Sequence, residues 1–167
     1  MPAEPPFPAV SLKDVTVANF RDCVRLQVAA SQRDYVAPNV HSLAQAYVNR
    51  RLTPLAVYDG SLFVRDPGPD DRMVGFAMYQ VWDEVAFVMR LMIGEAYQGR
   101  GYGRAAMVEL IRRMRLIPAV RTIGTSVVPE NVAATRLYES LGFVDSPWPP
   151  EDPQGERYLV LDLPARR

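Results

Sequence analysis

Apolar and polar positions follow two different periods along the chain, and the change between them marks the predicted strands and helices. Residues 85–93 are almost wholly apolar, with Arg90 as the one charge, which predicts a buried strand. Beyond residues 98–103, apolar side chains recur at i, i+3, i+4 and i+7. This spacing predicts a helix with one buried face, formed by Met107, Leu110, Ile111 and Met114.

A second strand and helix follow the same logic. Residues 120–128 read as a strand that Pro129 ends, and Asn131 is a suitable N-cap for the next helix. Gly142 supplies the C-terminal stop of that helix. Its predicted apolar face consists of Ala134, Leu137, Tyr138 and Leu141.

Weaker periodicity places the remaining elements. Strands are predicted at residues 12–17, 55–58, 73–80 and 157–163, and helices at residues 19–30 and 42–50. Ser42 with Gln45 three positions later predicts a capping box at the start of the second of these helices. The whole pattern indicates an α/β fold, a mixed and mostly antiparallel sheet with helices on both faces.

Composition narrows the class of protein. A chain of 167 residues fits a single domain, which we place at residues 11–163 between a flexible N-terminal segment, 1–10, and a tail, 164–167. Lys and Arg total 19, as do Asp and Glu, so no overall field attracts nucleic acid or an anionic membrane. Without a membrane-length apolar run or a signal peptide, we expect a cytoplasmic protein that acts on small molecules.

Single reactive residues exclude several chemistries. Cys23 is the one cysteine, which rules out an internal disulfide, and we expect it to be a helix-core thiol. His41 is the one histidine, so we expect no Ser-His, Cys-His or multi-histidine metal constellation. We expect His41 itself to be structural or exposed. We therefore expect no metal site.

Three glycines stand between the first predicted strand and helix, in a segment that we call the glycine loop (residues 98–103). A helix start leaves backbone N–H groups unpaired and carries about half a positive charge, which together bind anions. Gly99, Gly101 and Gly103 let a phosphate approach closely, and Arg100 and Arg104 can add charged contacts. The loop therefore predicts a phosphate site.

Two common phosphate motifs fit this loop poorly. Residues 101–106 match the dinucleotide pattern G-x-G-x-x-G/A, which expects an acidic residue about 20 positions later. Here that region holds Arg121, Thr122 and Ile123. The nucleotide pattern G-x-x-x-x-G-K-[ST] is absent.

A third pattern, Q/R-x-x-G-x-G/A, is occupied by Gln98, Gly101 and Gly103, and it resembles the acyl-CoA pyrophosphate loop of the GNAT superfamily of N-acyltransferases. Residues 126–143 also resemble that family, in its N-x-x-A-x-x-x-Y helix from Asn131 to Tyr138 and its closing Gly-Phe. Residues 32–39, 42–46 and 90–93 resemble bacterial spermine/spermidine N-acetyltransferases. Together the resemblance spans about residues 10–163.

The resemblance implies an acetyl-CoA-dependent N-acetyltransferase with the GNAT fold, often a homodimer. Tyr138 then corresponds to the general acid that protonates the departing thiolate. The positions that correspond to acetyl-CoA contacts are Leu91, Met92, Ile93, Gln98, Gly99, Arg100, Gly101, Tyr102, Gly103, Arg104, Asn131 and Ala134.

The acceptor and the general base stay open at this level. A primary amine must lose a proton before it attacks, because its pKa lies well above neutrality. Animal polyamine acetyltransferases carry a glutamate where this chain has Met89, so we name Glu84 as the candidate base, with Asp83 and Glu130 as alternatives. The resemblance favours a polyamine acceptor. Another small amine, an amino acid or peptide amine, and a non-catalytic acyl-CoA-binding regulatory module are the alternatives.

Overall fold

The computed structural model describes residues 7–60, 66–146 and 155–164. Within these ranges, four helices lie against one sheet of seven strands. The strands are β1 (Val10–Asp14), β2 (Leu52–Asp59), β3 (Met73–Trp82), β4 (Val85–Ile93), β5 (Thr122–Val127), β6 (Val144–Asp145) and β7 (Arg157–Asp162). The helices are α1 (Phe20–Arg25), α2 (Asn39–Val48), α3 (Tyr102–Arg115) and α4 (Val132–Ser140), with 3₁₀ turns at Ala30–Gln32 and Glu95–Tyr97.

The sheet is mixed and mostly antiparallel, as the sequence predicts. Its strand order is β1-β2-β3-β4-β5-β7-β6, and β4 with β5 is the parallel pair. Parallel neighbours need a long crossover, and α3 supplies it between these two strands. The parallel pair therefore places the start of α3 directly after the end of β4, where the glycine loop lies.

Two apolar cores cover the two faces of the sheet. One core, the α3/α4 core, lies on what we call the α3/α4 face. It includes the predicted stripe of Met107, Leu110, Ile111 and Met114, each at most 8 % exposed. The other core, the α1/α2 face, contains Cys23, Ala46 and Met92. Burial of Cys23 confirms the expected helix-core thiol, and burial raises the pKa of that thiol to about 11.

Several predicted boundaries were wrong at the N-terminal helices. Helix α1 ends at Arg25 instead of residue 30, and the chain then enters a 3₁₀ turn. Helix α2 begins at Asn39, so Ser42 lies inside the first turn and forms no capping box. The Ser42 hydroxyl donates to the Pro38 carbonyl at 3.5 Å, while the buried Asn39 amide donates to the Cys23 carbonyl at 2.9 Å. This tertiary contact fixes the helix start three residues earlier than local signals suggest.

The outer segments bear on the predicted domain limits. Strand β1 begins at Val10, one residue before the predicted domain start, and residues 1–6 and 165–167 lie outside the described residues. His41 is exposed on α2. Among the described helices, none combines the length and the apolar character needed to cross a membrane.

Candidate active site

Strands β4 and β5 separate part of the way along the sheet, and the gap between them forms the candidate site. Their pairing runs from Val85 opposite Thr122 to Val88 opposite Thr125 and then stops. The register between β3 and β4 shifts at the same place, since Val88 and Arg90 face consecutive β3 residues and leave Met89 as an extra residue. A bulge of this kind bends its strand and increases the local twist. The bulge therefore turns β4 away from β5.

A cavity of about 320 Å³ fills this gap and continues to the glycine loop. This volume is in the usual range for small-molecule sites. Its walls combine the second half of β4, the end of β5, the start of α3 and one face of α4. The lining residues used below are Arg90, Leu91, Ile93, Gln98, Gly101, Thr125, Asn131, Tyr138 and Glu156.

The β4 backbone offers unpaired polar groups to this cavity. Gly94 N–H donates to the Val74 carbonyl at 2.9 Å, which makes residues 94 and 74 a hydrogen-bonded pair. Because such pairs alternate along antiparallel strands, Met92 directs its backbone groups to β3, whereas Leu91 and Ile93 direct theirs to the opposite side, where β5 has diverged. Of the three β4 positions predicted to contact acetyl-CoA, Leu91 and Ile93 therefore direct backbone groups to the cavity side, whereas Met92 lines the cavity with its backbone groups directed to β3.

The glycine loop closes the far end of the cavity in the form that the sequence predicts. Gly101 is the N-cap of α3 with φ +86°, and Gly99 has φ +72°. These left-handed conformations favour glycine, and they precede the first free N–H groups of α3. Gly103 lies in the first helical turn beside Leu137 and Ile93. The arrangement has the backbone donors and helix-end charge that bind a phosphate.

Gln98 has a specific position in this loop. Its side-chain amide donates to the Ile93 carbonyl at 2.9 Å and to the Gln32 side chain at 2.8 Å. These bonds hold the loop against the end of β4 and against the Ala30–Gln32 turn. Gln98 therefore stabilises this end of the cavity, and its hydrogen bond satisfies the outward-facing Ile93 carbonyl.

Side chains of the other polar loop residues point elsewhere. The Tyr102 phenol is buried, and burial together with a hydrogen bond to Asp59 raises its pKa. Arg104 donates to the Ser140 hydroxyl at 2.7 Å, and Arg100 is exposed. Neither arginine lines the cavity. Their predicted contacts with phosphate stay predictions.

Helix α4 brings the second predicted motif to the same cavity. Asn131 caps the helix, since its side-chain oxygen accepts from Ala134 N–H at 3.2 Å, and this confirms the predicted N-cap. Both residues line the cavity beside the glycine loop. The cap fixes the direction of α4, so that Tyr138, two turns later, faces the same space.

Tyr138 lies where β4 and β5 diverge. It is 6 % exposed and packs on Phe143 with ring centres 5.7 Å apart. Burial raises the pKa of the phenol, and a hydrogen bond with Thr125 partly offsets that rise. The Thr125 hydroxyl also bonds to the Val88 carbonyl at 3.2 Å. The buried phenol therefore stays protonated at neutral pH, the state that a proton donor needs.

The candidate bases from the sequence lie outside this cavity. Glu84 is exposed in the β3–β4 turn, at the opposite end of β4 from the glycine loop, and its carbonyl accepts from Arg121 and Thr122 N–H groups. Asp83 is in the same turn, and Glu130 is exposed before α4. None of the three lines the cavity.

Four cavity residues received no role from the sequence. Gln32 and Tyr35 belong to the N-terminal motif and reach the cavity from the turn after α1. Arg90 donates to the Met89 carbonyl at 2.7 Å and to Gln45 at 3.3 Å, while its buried Nε atom has no partner among the described residues. Glu156 precedes β7 in a proline-rich segment without any local signal. Burial lowers the pKa of Arg90, and the nearby Glu156 carboxylate partly offsets this.

Among the described residues, no group of three or more His, Cys, Asp or Glu side chains is placed to hold a metal ion. The polar groups at the cavity include backbone N–H and C=O groups, the buried phenol of Tyr138 and the charged side chains of Arg90 and Glu156. This set can hold a phosphorylated, extended ligand and place a proton donor at its inner end.

Comparison with curated proteins finds similarity to several N-acetyltransferases. The spermine/spermidine N(1)-acetyltransferase of Bacillus subtilis (strain 168) is 27 % identical over 164 residues, which covers 93 % of this chain and 99 % of the relative. A [ribosomal protein bS18]-alanine N-acetyltransferase of Salmonella typhimurium is 39 % identical over 74 residues, 44 % of this chain and 49 % of the relative.

Solved structures share the fold. Spermidine N-acetyltransferase from Vibrio cholerae, in complex with CoA and spermine, aligns with a TM-score of 0.68 and 16 % identity, covering 92 % of this chain and 95 % of that chain. An aminoglycoside acetyltransferase in complex with coenzyme A aligns with a TM-score of 0.69 and 18 % identity over the same shares.

A model of the Acetyltransferase (GNAT) family matches residues 29–143, a range that contains β4, the glycine loop, α3, β5 and α4. The match spans well over half of the chain and includes the glycine loop, Asn131 and Tyr138. The chain belongs to the GNAT family of N-acetyltransferases, whose co-substrate is acetyl-CoA.

Proposed function

We propose that the cavity binds acetyl-CoA with its pyrophosphate at the glycine loop and its pantetheine arm along β4. The free backbone groups of Leu91 would pair with the amides of the arm, as a neighbouring strand does. The observation that carries this proposal is the opening between β4 and β5, which joins the glycine loop to Tyr138 in one continuous cavity. The thioester then lies at the inner end, beside Tyr138.

In the proposed reaction, the neutral amine attacks the thioester carbonyl carbon and the carbon–sulfur bond breaks. The departing thiolate takes the phenol proton of Tyr138, which leaves CoA as a free thiol. A backbone N–H at the inner end of β4 would stabilise the transient oxyanion. The raised pKa of Tyr138 supports this role, because a phenol that stays protonated is available as the acid over the whole neutral range.

A polyamine is the acceptor that the whole-length relatives support. The Bacillus subtilis relative is named a spermine/spermidine N(1)-acetyltransferase, and its similarity covers 93 % of this chain. A polyamine carries several positive charges and would favour a cavity lined by acids. The candidate bases Asp83, Glu84 and Glu130 do not line it, and neither does Asp34 of the N-terminal motif, so the charge of the cavity adds little to this hypothesis. Similarity to the bS18-alanine N-acetyltransferases, although confined to less than half of this chain, favours a peptide amine as the second candidate.

An acetylation assay across amine classes tests both candidates. Release of CoA is measured with spermidine, spermine, diamines, amino acids and short peptides with alanine at the N-terminus, at equal concentration and pH. We expect the largest kcat/KM with spermidine, spermine or a diamine. Turnover of amino-acid or peptide amines alone would refute the polyamine acceptor and leave the enzyme class intact.

The homodimer that the resemblance implies stays a prediction, which light scattering can test.

A further inference from the structure

The charged side chains of the cavity lie on one face of the sheet and the proposed acid on the other, and this separation bears on the missing base. Among the described residues, Arg90 and Glu156 are the charged side chains that line the cavity. Glu156 is therefore the one carboxylate that the described residues contribute to this cavity. This makes Glu156 the candidate that accepts the proton of the amine there, directly or through a bound water.

The position of Glu156 follows from the pairing of β5 with β7. Arg157 lies opposite Val127, so Glu156 lies at the level of Val128, the residue that follows β5 in the cavity wall. Residues of the two strands are 30 apart in sequence at this point, and only the antiparallel pairing brings them together. Glu156 thus lies beside the end of β5 that has separated from β4.

Alternation along β7 places the Glu156 side chain on the α1/α2 face. Leu159 belongs to the α3/α4 core, and Tyr158 instead packs on Phe87, with ring centres 6.0 Å apart. Since side chains alternate between the faces of a strand, Glu156 shares the face of Tyr158. Arg90 also lies on this side, where it contacts Gln45 of α2. Tyr138 lies on the other side, within the α3/α4 core.

We infer that Glu156 is the carboxylate that binds the ammonium group of the acceptor and accepts its proton. The inference rests on the proposed transfer reaction. A thioester held in the gap between β4 and β5 is open to the amine from the α1/α2 face, while its sulfur faces Tyr138 on the α3/α4 face. Base and acid then stand on opposite sides of the reacting carbon, as addition of nitrogen and departure of sulfur require.

The proton balance of the step is complete. The ammonium gives one proton to the Glu156 carboxylate, the nitrogen lone pair forms the new bond to the carbonyl carbon, and the bond to sulfur breaks. After addition, the second proton of the nitrogen is lost to solvent, and Tyr138 gives its proton to the thiolate. Solvent exchange restores the phenol and the carboxylate before the next turnover.

The test compares Glu156→Gln, which removes the charge at nearly constant shape, with Glu156→Asp and with Glu95→Gln as a control. Glu95 is an exposed acid that does not line the cavity. Base catalysis contributes about 10²- to 10⁴-fold, so kcat/KM for the amine should fall by at least about 100-fold in Glu156→Gln. The Kd for acetyl-CoA, measured by calorimetry, should stay within about twofold, because only the acceptor side changes. Glu156→Asp should retain part of the activity, and Glu95→Gln all of it.

A second measurement separates a base from a mere counter-ion of Arg90. The best acceptor is compared with its analogue fluorinated beside the amine, which is largely neutral at pH 7 because fluorine withdraws electrons. A neutral amine has no ammonium proton to give to Glu156 before it attacks, so the defect of Glu156→Gln should shrink at least about tenfold with this analogue. An equal defect with both amines would overturn the inference.

Three further outcomes would also overturn it. If the wild-type enzyme is active and Glu156→Gln is fully active as well, Glu156 is not the base, although the proposed function stands. The same holds if Glu84→Gln loses activity while Glu156→Gln stays active. A wild-type protein that binds acetyl-CoA and acetylates no amine overturns the proposed function, and the inference with it.

Discussion

Replacement of Tyr138 by phenylalanine isolates the proposed acid from the rest of the site. The ring keeps its packing on Phe143, and the glycine loop is untouched. Only the hydroxyl and its bond to Thr125 are lost. Loss of one intramolecular hydrogen bond costs about 0.5–1.5 kcal/mol of unfolding free energy, so the variant should fold and show only a modest decrease in stability.

Catalysis should respond far more strongly. General acids contribute about 10²- to 10⁴-fold, which corresponds to about 3–5 kcal/mol of activation free energy. We therefore expect kcat to fall by that factor while KM for acetyl-CoA changes less than about threefold, since the phenol acts on sulfur only as charge develops there. Thiol release at saturating acetyl-CoA measures kcat, and calorimetry measures CoA binding.

Tyr79→Phe is the matched control, because Tyr79 is also a buried tyrosine, 7 % exposed, but it does not line the cavity. Burial raises the pKa of Tyr138, so wild-type activity should show no alkaline loss from this phenol below about pH 10. A Tyr138→Phe variant with kcat within threefold of wild type, or with the same loss as Tyr79→Phe, would refute the assignment.

Three further predictions follow from single sites. Gly101→Ala should raise KM for acetyl-CoA about 5- to 30-fold, because φ +86° costs other residues about 1–2 kcal/mol, and its Cβ would lie 3.1 Å from Pro8. Gly60→Ala places a Cβ at the same kind of backbone, φ +87°, outside the cavity, so an equal increase in KM there would contradict the reasoning. Gly124→Ala should lower the unfolding free energy by about 1–3 kcal/mol in urea titrations, since its Cβ would lie 2.7 Å from the Phe87 ring, and an unchanged midpoint would refute this. Burial raises the Cys23 pKa from 9.0 to about 11, so the folded protein keeps a proton that the unfolded chain releases. Wild-type stability should therefore fall between pH 9 and 11 by about 1 kcal/mol per pH unit more than that of Cys23→Ala. Parallel slopes would exclude this linkage.

Local patterns predicted the central part of the fold well. Strand β4 has the predicted bounds, and α3 begins at Tyr102, within the glycine loop. Both follow from short-range rules, because burial imposes a strict period on apolar residues and an N-terminal glycine permits the turn. The Asn131 cap is equally local, since its partner Ala134 is three residues away.

The local capping signal near the N-terminus predicted the wrong start of α2, and the reason is physical. The Ser42 and Gln45 pattern is a good local cap, but the buried bond from Asn39 to the Cys23 carbonyl begins α2 earlier. The tertiary bond outweighs the local capping signal because an unpaired buried carbonyl is costly. No window of the sequence shows which residue will meet the Cys23 carbonyl.

The sequence by itself determined the elements on either side of the glycine loop, the glycines that permit its turn, and the tyrosine that faces the same cavity. These depend on periods and caps that extend over a few residues. Only the tertiary structure decided that β4 bends away from β5 at Met89, that Leu91 rather than Met92 presents free backbone groups, and that Glu84 lies outside the cavity while Glu156 lines it. Strand register and pairing set these features, and they join residues far apart in the chain, so no local pattern records them.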